Sequence, residues 1–202
     1  MVIVEPSVKL LESTPFPIQL IAKAARVCYQ SQEHSSRPDE EMVRMILKNG
    51  HESVIEHASA TIAIVCDRGV THEIVRHRLC SYSQESTRYC NYSSKKFGAE
   101  IKVIQPPDLH GKTLEIWKQT VLACEIAYIE LIANGVKPQI ARAILPNCLK
   151  TEIVMTCNFR EWRHFLKLRC APAAHPQMQE IANMVRVVLQ ECCPIVFEEL
   201  PT

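Results

Sequence analysis

Between Gly111 and Asn134 the chain carries a helical pattern that no proline interrupts, and this run narrows the fold more than any other feature. Leu114, Trp117, Val121, Cys124, Tyr128, Leu131 and Ile132 recur at three- and four-residue spacing, so they share one face. Such a stripe belongs to a core or a subunit interface, not to a cofactor box, and Gly135 stops it. Beside this helix stand short β-branched runs. Ser59 to Cys66 reads as a strand, Glu152 to Thr156 as another, and Val2 to Val4 and Glu100 to Ile104 as shorter ones. The combination predicts an α/β fold: a single domain over residues 1–202, with a small mixed sheet flanked by several helices. At 202 residues and 47% hydrophobic content, the chain has material for one substantial core, with or without a small subdomain.

The remaining helices are placed by their punctuation. After Pro15 and Pro17, Ile18, Ile21, Ala25 and Cys28 fall on one face. Ser31 to Arg37 reads as a polar loop. Pro38 with Asp39, Glu40 and Glu41 then opens a helix that turns Met42, Met45 and Ile46 inward and ends at Gly50. Asp67-Arg68-Gly69 is expected to break the chain before a helix over Val70 to Arg78. Pro138 starts a short helix carrying Arg142 in an apolar setting, where a guanidinium needs an acidic or anionic partner. Asn158 caps a helix from Phe159 to Arg169. Arg160 and His164 share one of its faces, and Arg169 complements the dipole at its end. Pro172 and the His175-Pro176 step lead into a last helix, its inner face expected at Ile181, Met184 and Val188.

Composition excludes several classes of function. Lys+Arg (23) and Asp+Glu (22) nearly cancel, so no global basic field recruits nucleic acid. No apolar run approaches a membrane span and no signal peptide opens the chain, which predicts a cytoplasmic protein with no membrane partner. The ten cysteines are scattered without a Cys-x-x-Cys pair, which argues against a zinc ribbon and for reduced thiols; Cys66, Cys124 and Cys157 read as small buried hydrophobes. His51 and His57 stand six apart, whereas the two-histidine zinc helix needs four, so no metal is expected. His51 and Ser53 are read instead as supplying capping or ligand contacts.

The stretch Arg76-His77-Arg78-Leu79-Cys80-Ser81-Tyr82-Ser83-Gln84-Glu85-Ser86-Thr87-Arg88-Tyr89 departs from this background. A solvated helix face would alternate charges; this run gathers donors. Arg78 and Arg88 bracket a hydroxyl-rich turn, an arrangement suited to a dianionic group held by forked guanidinium contacts.

Arg76-His77-Arg78, seven residues, then Ser86, with Tyr82, Arg88 and Tyr89 in place, resembles the signature of the flavin-dependent thymidylate synthases. The resemblance extends over nearly the whole chain, through His51-Glu52-Ser53, Ala141-Arg142 to Leu145-Pro146, and Asn158-Phe159-Arg160 to Leu168-Arg169. It implies reductive methylation of dUMP to dTMP, with methylenetetrahydrofolate as one-carbon donor, NADPH as reductant, FAD as cofactor and no enzyme cysteine nucleophile. It also implies a homotetramer with active sites between subunits. Carried over by position, dUMP contacts fall on Glu73, Arg76, Gln84, Glu85, Ser86, Thr87, Arg88, Arg142 and Arg169. FAD contacts fall on Ser53, Arg76, His77, Arg78, Gln84, Asn158, Phe159, Arg160 and His164. Arg169 matches the catalytic arginine held to stabilise the ionised uracil. A guanidinium beside the imide favours its anion and raises electron density at the carbon to be alkylated. Three positions depart from the pattern of some members: Glu73 where glutamine occurs, Gln84 where glutamate occurs, and His164 where asparagine occurs. His51, His77 and Tyr82 are the candidates for folate.

Two other readings of the residues stay open at this level. A nucleotide- or RNA-binding module would use the same basic, aromatic run, and a metal-dependent hydrolase would use His51, Glu52, Glu56 and His57.

Overall fold

The computed structural model describes residues 1–28 and 37–198, so all but the last residue of the expected loop from Ser31 to Arg37 lies outside the described residues. In chain order the elements are β1 (Val2–Ile3), β2 (Ser7–Ser13), α1 (Pro17–Cys28), α2 (Asp39–Lys48), β3 (Ser59–Asp67), α3 (Arg68–Ile74) and β4 (Ser81–Gln84). There follow β5 (Lys102–Val103), α4 (Gly111–Ala133), α5 (Pro138–Ala141), β6 (Lys150–Asn158), α6 (Phe159–Arg169), α7 (Pro176–Cys192) and α8 (Pro194–Phe197). Short 3-10 turns occupy Glu52–His57, Lys95–Phe97 and Arg142–Ile144. The fold is α/β, with parallel and antiparallel pairing divided between two small sheets. β1 and β5 run parallel, and the other four strands lie in the order β2-β3-β6-β4. Phe159 N donates to Ala58 O at one end of the β3–β6 pair and Arg68 N to Leu149 O at the other, so these two strands run antiparallel.

The chain forms two compact units, neither contiguous in sequence. The first comprises Met1–Ser7, Val65–Ile74 and Ser83–Ile153; the second comprises Val8–Ile64, Val75–Tyr82 and the chain from Val154 onward.

The first unit is built on α4, which begins and ends where its sequence pattern places it. Its stripe buries Val121 and Tyr128, which join Tyr92, Ile101, Val103 and Leu149 in one apolar cluster. Glu125 lies on the same face and is also buried. Its carboxylate accepts from the Met1 ammonium at 2.7 Å and from Ile101 N at 2.8 Å, so the charge enters the core with partners. α3 starts earlier than expected, at Arg68, because Asp67 caps it: Val70 N donates to Asp67 Oδ1 at 2.7 Å. A side chain at Gly69 would stand 3.2 Å from that oxygen, so the cap and the glycine go together. α3 also ends early, at Ile74, and the signature therefore starts in a turn and not on a helix.

The second unit carries α1, α2, α6, α7 and α8. Phe159, Trp162, Phe165 and Leu166 of α6 are fully buried, and Trp162 Nε1 donates to Ala60 O at 3.1 Å. Truncating one such aromatic to alanine costs about 3–5 kcal/mol. Arg26 ties α1 to α2 through Asp39 at 2.6 Å. α7 buries Met178, Ile181, Ala182, Val185 and Leu189, a face rotated from the expected Ile181-Met184-Val188 stripe. Cys66, Cys157 and Cys193 are buried and Cys124 half-buried; all ten cysteines are free thiols. Among the described residues no helix is long and apolar enough to cross a membrane.

Candidate functional site

In the second unit the chemistry collects at the start of α6. Asn158 caps the helix by accepting from Glu161 N at 2.9 Å, as its position predicts. With the register set, Phe159, Trp162 and Leu166 face inward while Arg160 and His164, one turn apart, face outward. The outward side borders a cavity of about 730 Å³ lined by Asn158, Arg160 and His164, with Glu52, Arg163 and Lys167 also on its walls. The guanidiniums are held by carboxylates from the 3-10 turn: Arg160 Nη1 donates to Glu56 Oε1 at 2.5 Å, and Arg163 Nε to Glu52 Oε1 at 3.0 Å.

Close to that cavity's Glu161 and His164 is a buried chain of polar contacts. His77 is 4% exposed, and its Nδ1 lies 3.2 Å from Glu161 Oε1. Arg169 Nε donates to His77 Nε2 at 3.1 Å. The ring also meets Phe165 (centroids 5.0 Å apart) and His164 (5.7 Å). Burial holds the imidazole below its ordinary pKa. The Glu161 bond and charge oppose that shift, while the Arg169 and His164 charges add to it.

The first unit holds the other half of the signature. β4 delivers Gln84, whose Nε2 donates to Thr71 Oγ1 at 3.0 Å and Thr151 Oγ1 at 3.2 Å. The chain then turns: Tyr89 N and Cys90 N donate to Ser86 O, and Arg88 N donates to Ser86 Oγ at 3.3 Å. Arg142 Nη1 donates to the buried Thr87 hydroxyl at 3.2 Å, and the exposed Arg88 guanidinium lies 5.5 Å over the Tyr89 ring. Thr87 and Arg142 line a second cavity of about 580 Å³, and Arg68 lines it with them.

Several expected positions are brought together and several are not. Asn158, Arg160 and His164 share one cavity; Thr87 and Arg142 share the other, with Ser86 and Arg88 on the same turn as Thr87. Ser53, Arg76 and Arg78 are exposed, Glu73 is half-buried, and none of the four lines either cavity. Phe159 requires a correction. It is fully buried with its ring 5.1 Å from Phe197, because its helix position shares the inner face with Trp162, so its side chain makes no cofactor contact. Both ring nitrogens of His77 are already bonded within the protein, which leaves no nitrogen for a flavin. Both carboxylate oxygens of Glu85 are engaged too, by the Tyr92 hydroxyl and the Lys150 ammonium, each at 2.8 Å. The sequence reading missed Arg68, Glu161, Arg163 and Lys167. Glu161 had only one signal, an acid three residues after a cap.

By spacing alone, His77, Glu161 and His164 form a donor group with atoms within 4.8 Å of one another. The Arg169 guanidinium bonded to His77 Nε2 sets a fixed positive charge beside this group, which disfavours a cation there. The His51–His57 set forms no such group among the described residues.

The family model described as thymidylate synthase complementing protein matches residues 9–195. The flavin-dependent thymidylate synthase of Geobacter sulfurreducens is 34% identical over 202 residues, covering 95% of this chain and 85% of that protein. That of Pyrococcus furiosus is 36% identical over 183 residues, covering 87% and 75%. Among solved structures, the UMP/dUMP methylase PolB from Streptomyces cacaoi, bound with 5-Br dUMP, shares the fold at a TM-score of 0.82. It covers 98% of this chain and 96% of its own, at 24% identity.

Proposed function

Since the chain belongs to the flavin-dependent thymidylate synthase family, we propose that it converts dUMP to dTMP, with FAD as cofactor and methylenetetrahydrofolate and NADPH as co-substrates. The balance is dUMP, methylenetetrahydrofolate, NADPH and a proton giving dTMP, tetrahydrofolate and NADP⁺. Residues 1–202 act as one synthase domain.

The observation that carries this reading is the shared cavity of Asn158, Arg160 and His164, three positions that the family pattern assigns to the flavin. Its size, about 730 Å³, is that of a cofactor site. Its donors also fit the group. Arg160 and Arg163 are balanced by Glu56 and Glu52 on the same walls, so the Lys167 ammonium is the cation that suits a diphosphate, while an amide and an imidazole suit the edge of a ring system. Ser53, Arg76 and Arg78 are the further flavin contacts of this proposal, exposed and outside the lining of that cavity. When bound, the flavin supplies hydride transfer, from the nicotinamide and onward to the one-carbon unit.

The chain's own share is positioning and electrostatics. Arg88, Arg142 and the Ser86 hydroxyl hold the phosphate dianion, with Thr87 orienting Arg142 and Arg68 adding charge at the same cavity. Gln84 and Glu85 shape that turn from behind: Gln84 is anchored to Thr71 and Thr151, and Glu85 to Tyr92 and Lys150. Arg169 stands beside the uracil imide and favours its anion. Glu73 and Arg76 contribute contacts to the nucleotide. No thiol is required as nucleophile. Burial pushes Cys66 up to about 12 and Cys148 to about 11, keeping both protonated near neutral pH.

The assembly is a cytoplasmic homotetramer with active sites between subunits and no nucleic-acid or membrane partner. Ile116, Leu122 and Ile126, which leave α4 with an exposed apolar side, support association. Purified protein is expected to show a flavin absorption spectrum that NADPH bleaches without oxygen, more fully when dUMP is present. It should form dTMP only with methylenetetrahydrofolate. A colourless protein that takes up no added FAD sinks the reading.

A further inference from the structure

We propose that Glu161 is a positioning residue: it fixes the tautomer of His77, and His77 in turn aims Arg169 at the nucleotide base. The proposal deepens the synthase reading and rests on Arg169 being the arginine beside the uracil.

Arg169 Nε carries a hydrogen and has no lone pair to offer, so its 3.1 Å contact requires His77 Nε2 to be the acceptor. A neutral imidazole has one acceptor nitrogen and one N–H, which places the proton on Nδ1. That proton points at Glu161 Oε1, 3.2 Å away. The three side chains therefore form one directed chain, in which the guanidinium donates to the imidazole and the imidazole donates to the carboxylate. Reversing the tautomer would set Nε2–H against Nε–H, two donors facing each other, and Arg169 would lose this contact.

The surroundings suit this role. Glu161 is 8% exposed and His77 4%, so neither is free to exchange its partner for bulk water. A glutamate three residues after a helix cap commonly turns back to the cap's own N–H; here Oε1 goes to His77 instead. His77 is also held from its backbone, where the Tyr82 hydroxyl donates to its carbonyl at 2.7 Å. Arg169 sits on the last turn of the helix whose first turn carries Glu161, so one rigid element bears both ends of the chain.

The test uses the whole enzyme with ¹⁵N-labelled histidine. In the wild type the His77 ring is expected to be neutral, with its proton on Nδ1 and a bare Nε2. In Glu161→Ala the ring signal should shift to the Nε2–H form or a mixture. The kcat for dTMP formation should fall by on the order of 10- to 100-fold, with half-saturating dUMP moving less. Glu161→Gln, whose amide oxygen accepts the same proton, should keep the tautomer and recover most of the rate, which a mere loss of charge or packing would not predict. Should Glu161→Ala fail to fold, the Gln variant and the wild-type ring signals decide. A proton on Nε2 in the wild type overturns the proposal. So does a Glu161→Ala enzyme that retains Nδ1–H and keeps kcat within about 2-fold. A wild-type protein that makes no dTMP sinks the synthase reading instead, and the ring signals still decide whether Glu161 sets the tautomer.

Discussion

The two cavities treat their guanidiniums in opposite ways. In the second unit, the residues around the α6 cavity are locked in pairs: Arg160 with Glu56, Arg163 with Glu52, and His77 between Glu161 and Arg169. In the first unit, Arg68, Arg88 and Arg142 form no ion pair among the described residues and meet only a backbone carbonyl, an aromatic ring and a hydroxyl. A dianionic phosphate brings its own charge, so donors meant for it are best left without carboxylates competing for them. A site that must orient a larger group gains from donors already fixed in place. The difference separates capture from pre-organisation.

The contrast between the two cavities predicts its largest effect at Arg142. Replacement by alanine removes a charge-assisted contact and should weaken dUMP binding about 10- to 100-fold by calorimetry, while flavin content stays unchanged. Loss of flavin in that variant would contradict the division of labour. A smaller effect is expected at Glu85, the one carboxylate of the turn, because it acts as scaffold. Glu85→Ala strands Lys150 and the largely buried Tyr92 hydroxyl and should cost about 1–2 kcal/mol, seen as a drop in Tm of about 2–8 °C. The smallest effect is the pH response of the second unit. His77 titrates below its ordinary 6.5 in the folded protein, so as pH falls the unfolded chain takes the proton first. Its contribution is fully present above 6.5 and is lost as pH drops through the depressed folded value. Thermal melts between about pH 7.5 and about pH 5.5 should show this slope, and His77→Asn should flatten it.

What the sequence made legible follows where local signals were strong. β3, α4, α6 and the Asn158 cap sit at or within a residue or two of their expected places, because β-branched runs, a long apolar stripe and a cap residue are local facts. The strands missed were β2 and β4. Both are edge strands of the four-stranded sheet, and Ser-Tyr-Ser-Gln has no propensity that would reveal pairing with β6. The face of α7 was misread because Ile181, Ala182, Met184, Val185, Val188 and Leu189 surround most of the helix, so only tertiary packing selects the inner side. The site was legible as a set of residue types. Its inner layer was not, since Glu161 and His77 are 84 residues apart and only the fold brings the carboxylate to the ring.

The discontinuity of the two units bears on how the chain is made. The first unit needs three separated segments and is incomplete until Ile153 has been synthesised; the second draws on three segments and waits for α7 and α8. β3, β4 and β6 each carry the backbone from one unit into the other, so no single cut releases either as a free domain. On the ribosome neither unit is able to finish before most of the chain has emerged. The early-made face of α2 that meets α8 must then wait for the end of the chain, and it stays uncovered longer than it would in a protein whose units are contiguous in sequence.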